Sequence, residues 1–166
     1  MTDDVRHDPT DGDEVHVLLG WLKFHRRAAA EKCDGVSAVD LIRNGLGGTS
    51  MSLLGLIRHL TEMERVYAVF AIGGVDLTFS YGPYDEGGPD GDFDNLTVEM
   101  VEPSLAAWRA ECAAADAVLA GTSPDDVGRG NHRSVRWNLV KLMQEYARHN
   151  GHADLIRQSI DGATGE

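Results

Sequence analysis

Residues 134–160 read SVRWNLVKLMQEYARHNGHADLIRQSI. Within them Val135, Leu139, Leu142, Tyr146, His149, Ala153, Ile156 and Ile160 recur at steps of three and four, the spacing of one face of an α-helix. Ser134 stands where an N-cap belongs, and Gly162 follows the last periodic residue as a stop. The stretch therefore predicts one long amphipathic helix whose apolar face needs other elements to cover it.

Working outward from it, three more patterns of the same kind appear. Over 13–33, Val15, Leu18, Leu19, Leu22 and Arg26 share a face, with Asp11 or Asp13 able to cap the start. A shorter piece over 37–44 opens on Ser37 and stops at Gly45. Over 49–72, Leu53, Leu56, Leu60, Met63, Tyr67 and Phe70 form a stripe that Thr49 or Ser50 would cap and Gly73-Gly74 would end. Over 97–120 the inner side is Leu105, Trp108, Cys112, Ala115 and Leu119, and Pro103 marks either the start of regular helix or a kink. No segment sustains the period-2 alternation of a strand. The class predicted is all-α: an up-down four-helix bundle with a long crossover loop and one or two short extra helices. It is expected as a single domain over 13–166, after a disordered acidic tail over 1–12.

The chain carries 27 acidic against 15 basic side chains, a formal net charge of −12, with no Lys/Arg cluster. A phosphate-backbone binder needs a basic face, so no nucleic acid partner is expected. No apolar run approaches the roughly 20 residues of a membrane span. The polar N-terminus lacks the character of a secretory signal, which points to a cytoplasmic protein. In that reducing setting Cys33 and Cys112 would be free, buried thiols, and without a C-x-x-C they do not suggest a cysteine-built site.

Two places break the apolar pattern. His59 lies between Leu56 and Met63 on the inner stripe of its helix, and Glu145, His149 and His152 fall at i, i+4 and i+7 on the last helix, within a narrow arc beside its core stripe. Neutral imidazole is a common ligand for zinc and similar ions, and histidines from two facing helices can meet on one ion. His59, His149 and His152 would then hold a divalent metal with one position open, and Glu145 would be a fourth ligand, a base beside the ion, or an acceptor that orients an imidazole. Other metal and nucleotide motifs fail on spacing. H-E-x-x-H, the paired Glu-x-x-His of di-iron bundles, G-x-S-x-G and a phosphate loop are all missing. The long connection over 75–95 is rich in Gly, Pro and acidic residues, and its Phe79, Tyr81, Tyr84 and Phe93 could fold it over one end of the bundle. Arg58 and Arg148 each flank a proposed ligand and could meet polar or anionic groups of a substrate.

The stretch SLLGLIRHL over 52–60, followed by EMER over 62–65, resembles the second-helix signature of the DinB-like superfamily. EYARHNGHADL over 145–155 resembles the fourth-helix signature of its branch of mycothiol-dependent S-transferases. Trp21, Lys32-Cys33 and the terminal IDGATGE are also similar to that branch. The resemblance implies a metal held by His59 from the second helix and by His149 and one neighbour from the fourth. Much of the superfamily uses His-x-x-x-His, but position 153 here is alanine. His152 is the first choice for the third ligand, and Glu145, placed as in some relatives, the second. The implied activity is addition or transfer of a low-molecular-weight thiol to a small electrophile, in detoxification. Coordination to the metal would deprotonate the thiol, and Glu145 could accept its proton. Zinc is the first choice of metal, with nickel, iron or manganese as alternatives, and a homodimer is plausible by resemblance. The rival readings are a metal-binding stress protein without turnover, and a thiol-dependent isomerase or hydrolase on the same scaffold.

Overall fold

The computed structural model describes residues 11–81 and 90–164. The predicted acidic tail falls almost wholly outside these, as do Tyr84 and the last two residues. The first helix, α1, is Glu14–Cys33; the Asp13 carboxylate caps it by accepting the His16 N–H at 2.9 Å. One turn, α2, follows at Ala38–Leu41 behind its cap Ser37, and a 3-10 turn spans Leu46–Gly48. Helix α3 is Leu53–Glu64 and runs without a break into a π-helical stretch, Arg65–Phe70. A 3-10 turn at Val98–Met100 leads into α4, Val101–Leu119. The longest helix, α5, is Val135–Asp161, with Ser134 accepting the Trp137 N–H at its start and Gly162 in the left-handed region at its end.

The predicted all-α class is what the chain adopts; among the described residues no strand forms, and Val127 and Ser134 make an isolated bridge. No helix of the described residues is long and apolar enough to cross a membrane. Two boundaries differ from the sequence expectation. Helix α3 starts behind Ser52, whose hydroxyl accepts the Gly55 N–H at 3.1 Å, not behind Thr49 or Ser50. The reason is local: Gly47 and Gly48 both hold positive φ, and the Gly45 N–H bonds to the Met51 carbonyl at 2.7 Å, so the chain is still turning at residue 51. Pro103 does not kink α4. It lies in the first turn, where a missing N–H removes no helical hydrogen bond, so the regular helix begins just ahead of it.

Helix α1 packs chiefly on α5, α3 on α4, and α3 also meets α5. Leu22, Leu53, Leu54, Ile57, Leu60, Leu139 and Leu142 fill the middle. Through that apolar interior runs a polar chain with a member from each long helix. Glu64, fully buried, accepts two hydrogen bonds from the Arg26 guanidinium at 2.6 Å each and one from the Tyr146 hydroxyl at 2.7 Å. The Trp108 indole N–H donates to Tyr146 at 2.9 Å, and Arg26 also reaches Asp116 at 2.6 Å. Burial, then the charge of Glu64, pushes the Tyr146 hydroxyl well above its usual range, so it stays protonated and donates.

Removing one partner of such a network leaves the other ionised and buried, which costs about 3–5 kcal/mol. Glu64→Ala is therefore expected to lose about that much stability in urea unfolding, with a fall in Tm on the order of 10 °C. A joint Arg26→Met and Glu64→Leu substitution, which leaves no orphan charge, should recover most of it.

Candidate metal centre

The cap at Ser52 sets the phase of α3. Leu53, Leu56 and Leu60 turn inward, and His59 comes to the edge of the helix that looks toward α5, its side chain 20% exposed. On α5, Glu145 and His149 lie one turn apart, with side chains 11% and 10% exposed. The rings of His59 and His149 meet edge to face with centroids 4.5 Å apart, and Nε2 of His149 is 3.7 Å from Oε2 of Glu145. One ligand atom from each of His59, Glu145 and His149 lies within 4.8 Å of the others. His152, the first choice for the third ligand on sequence grounds, is outside that triangle. Its Nδ1 approaches Nδ1 of His149 at 3.3 Å, on the other side of the His149 ring from Glu145.

The loop completes the surroundings. Asp92, 6% exposed, places Oδ2 at 2.9 Å from Nδ1 of His59. The other ring nitrogen, Nε2, is buried and has no hydrogen-bond partner among the described residues. Phe93 stacks on His59 with centroids 5.9 Å apart. It can approach only because residue 55 is glycine: a Cβ there would stand 2.5 Å from the Phe93 ring. Glu62, buried, accepts the backbone N–H groups of Ser80 and Tyr81 at 2.6 and 2.7 Å. Arg65 donates to the Thr78 carbonyl at 2.9 Å. Arg58, expected as a substrate contact, is buried under the loop instead; it donates to the Gly91 carbonyl at 3.0 Å and lies 4.2 Å over the Tyr81 ring. Arg148 remains half exposed, with its guanidinium 3.6 Å from Oε2 of Glu145, and Lys141 stands 3.8 Å from Oε1.

The donor set suits a divalent ion. Two imidazoles and a carboxylate are the ligand types that zinc and its neighbours take, and a buried acceptor nitrogen with no partner is what a ligand looks like without its ion. The protonation state suits it as well. Burial first, and then the neighbouring His59 and His152, push the His149 imidazole down to about 3. His149 is thus neutral across the physiological range, the form that binds metal. Cys33 and Cys112 are free thiols, both pushed up to about 12, chiefly by burial. Neither supplies a thiolate near neutral pH.

A family model described as mycothiol S-transferase matches residues 17–162. The chain belongs to that family. The DinB-like resemblance read from the second and fourth helices is borne out by the match, which spans all four long helices apart from the first turn of α1. No curated protein matches the chain significantly. Within this family member, sequence reasoning found His59, Glu145 and His149, and it missed Asp92 and Glu62. Asp92 is one of several acidic residues in an aperiodic loop, so nothing in the sequence separates it from a solvated charge. Glu62 is likewise one polar residue on a helix face that only the returning loop buries.

The depressed His149 has a consequence for stability. In the unfolded chain an ordinary imidazole takes up its proton near 6.5, whereas the folded one stays neutral down to about 3. Below 6.5 the unfolded state therefore binds more protons, and stability contributed at this site is lost as pH falls. In chelator-treated protein, lowering the pH from about 7.5 to about 5 should destabilise the parent more than His149→Gln, by about 1 kcal/mol after allowance for screening. Urea unfolding at the two pH values measures the difference.

Proposed function

We propose that this chain is a metal-dependent mycothiol S-transferase that conjugates the thiol to small electrophiles, with His59, Glu145 and His149 as the ligands of a divalent ion, zinc before nickel, iron or manganese. The observation that carries the reading is the convergence of those three groups on one point, with Nε2 of His59 buried and unpartnered. Family membership supports the thiol and the transfer reaction. The chemistry such an ion supplies when bound is to favour the thiolate of a coordinated thiol near neutral pH.

The chain's own residues do the rest. His149, held neutral, offers Nε2 beside Oε2 of Glu145. The second oxygen of Glu145, Oε1, stands 3.8 Å from Lys141 and is assigned as the acceptor for the thiol's proton. His152 ranks behind Glu145 as a ligand, because it meets the nitrogen of His149 that points away from the triangle. Its part is to orient the His149 ring, with Nδ1 of His152 accepting from a protonated Nδ1 of His149. Asp92 and Phe93 of the docked loop cover one side of His59 and leave its side chain 20% exposed. A reducing, cytoplasmic setting suits a low-molecular-weight thiol and the two free cysteines.

The test is to purify the protein without an affinity tag, measure its metal content, and incubate it with mycothiol and a bimane electrophile. Thiol consumption should vanish with a chelator and return with added metal. Stoichiometric metal without consumption of any thiol would favour the rival reading of a metal-binding stress protein. His59→Ala, His149→Ala and Glu145→Ala should each strip the metal from the purified protein, while His152→Ala, which removes only the group that orients His149, should weaken binding by about 10–100-fold and still load stoichiometrically at saturating metal. Loss of metal in His152→Ala with retention in Glu145→Ala would reverse the ligand order.

Cys33→Ala combined with Cys112→Ala should leave the transfer rate within about two-fold of the parent, since both thiols are held protonated by burial. A dead double variant that still folds and still binds metal would move the chemistry from the ion to a cysteine.

A further inference from the structure

Asp92 is a carboxylate that the fold has gone out of its way to bury. It comes from the long connection between α3 and α4, and it is 6% exposed. Burying a carboxylate is unfavourable unless partners compensate, and its Oδ1 has no partner among the described residues. The hydrogen bond it makes is the one that Oδ2 accepts from Nδ1 of His59 at 2.9 Å. The loop that carries it is fastened on both sides. Arg58 donates to Gly91, the residue before it; Phe93, the residue after it, lies on His59; and Glu62 and Arg65 hold the incoming strand of the loop at Thr78, Ser80 and Tyr81.

We infer that Asp92 is a positioning residue: it selects the tautomer of His59, and the docked loop thereby sets the metal affinity of the bundle. With Nδ1 of His59 donating to the Asp92 carboxyl, Nδ1 carries the proton and the lone pair stays on Nε2. Nε2 is the nitrogen left buried and unpartnered. An imidazole free of such a partner exchanges between tautomers and rotamers, and only part of that population offers Nε2 as a ligand. The hydrogen bond removes that loss and raises the basicity of the ligating nitrogen, an effect typically worth 10–100-fold in metal affinity. The donor lies on α3 and the acceptor on a loop some thirty residues later, so metal affinity depends on the loop being seated, a coupling the helices alone would not provide.

The role in metal binding rests on the proposed ligand set, but the tautomer can be read without any metal. In chelator-treated, 15N-labelled parent protein at about pH 8, long-range nitrogen–proton spectra should show His59 protonated on Nδ1 and bare on Nε2. Asp92→Ala should abolish that signature and weaken zinc binding by about 10–100-fold in a competition titration against a chromophoric chelator. Asp94→Ala, at an exposed position two residues on, should change neither. The inference is overturned if His59 of the parent is protonated on Nε2, a reading that needs no variant to fold. It is equally overturned if a folded Asp92→Ala keeps the parent's tautomer or binds zinc within two-fold of it. A parent that shows the Nδ1 proton and yet binds no zinc would overturn the metal reading of the centre and leave the tautomer assignment standing.

Discussion

A carboxylate with no exposure to water is tolerated inside a helical bundle only if donors close around it from every side. Glu64 meets that condition with Arg26 from α1, Tyr146 from α5 and the Trp108 indole of α4 behind Tyr146. Burial alone would lower the Arg26 guanidinium, but the hydrogen bonds and charge of Glu64 outweigh it and hold it above its ordinary range. The directions of these bonds do what apolar contacts cannot: they fix each helix in rotation. Leucines tolerate a helix turned by a few tens of degrees, whereas a bidentate guanidinium does not.

That rotational lock positions the candidate metal site. On a helix each residue advances by about 100°. With Tyr146 pinned on Glu64, His149 stands about 60° to one side of it, Glu145 about 100° and His152 about 120° to the same side. On α3, His59 lies five residues before Glu64 and so turns about 140° away from it. Those two offsets point toward one corner of the bundle, the corner the loop covers. The corner is also dry enough to matter. The burial and the neighbouring imidazoles that keep a proton off His149 do not oppose a divalent ion in the same way, because an ion engages both imidazoles and the carboxylate at once. Proton and metal compete for the same lone pairs, and the surroundings are biased against the proton.

The elements legible in the sequence were those written in a period. The four long helices follow from apolar spacing, and the ends of α5 from Ser134 and Gly162. His59, Glu145 and His149 were legible because each interrupts or borders an apolar stripe. What escaped were features defined by partners far along the chain. Glu64 reads as one more charge on a helix until Arg26 and Tyr146 are seen around it. Asp92 and Glu62 gain meaning only when the loop returns. The start of α3 was misplaced because Ser50 and Ser52 are equal as caps, and only the turn closed by Gly45 and Met51 selects between them. Arg58, which flanks His59 in sequence and is expected there to meet a substrate, anchors the loop instead.

The choice between Glu145 and His152 was beyond helical spacing, because both fall in the same arc as His149. It turns on a property of imidazole itself. The ring has two nitrogens that face apart, so a ligand through one leaves the other to find its own partner. In His149 the Nε2 edge looks to Glu145 and the Nδ1 edge to His152. In His59 the Nδ1 edge looks to Asp92 and Nε2 is left without a partner. The two rings therefore repeat one arrangement, with Nδ1 toward a group that can hold the ring in place and Nε2 left for the proposed ion. If His152 were the ligand, His149 would have to turn its Nδ1 edge to the ion, and Glu145, flanked by Lys141 and Arg148, would lose its place beside Nε2. Two histidines oriented alike by partners from a loop and from the next helical turn are the simpler construction, and that construction favours Glu145 over His152 as the third member of the proposed ligand set.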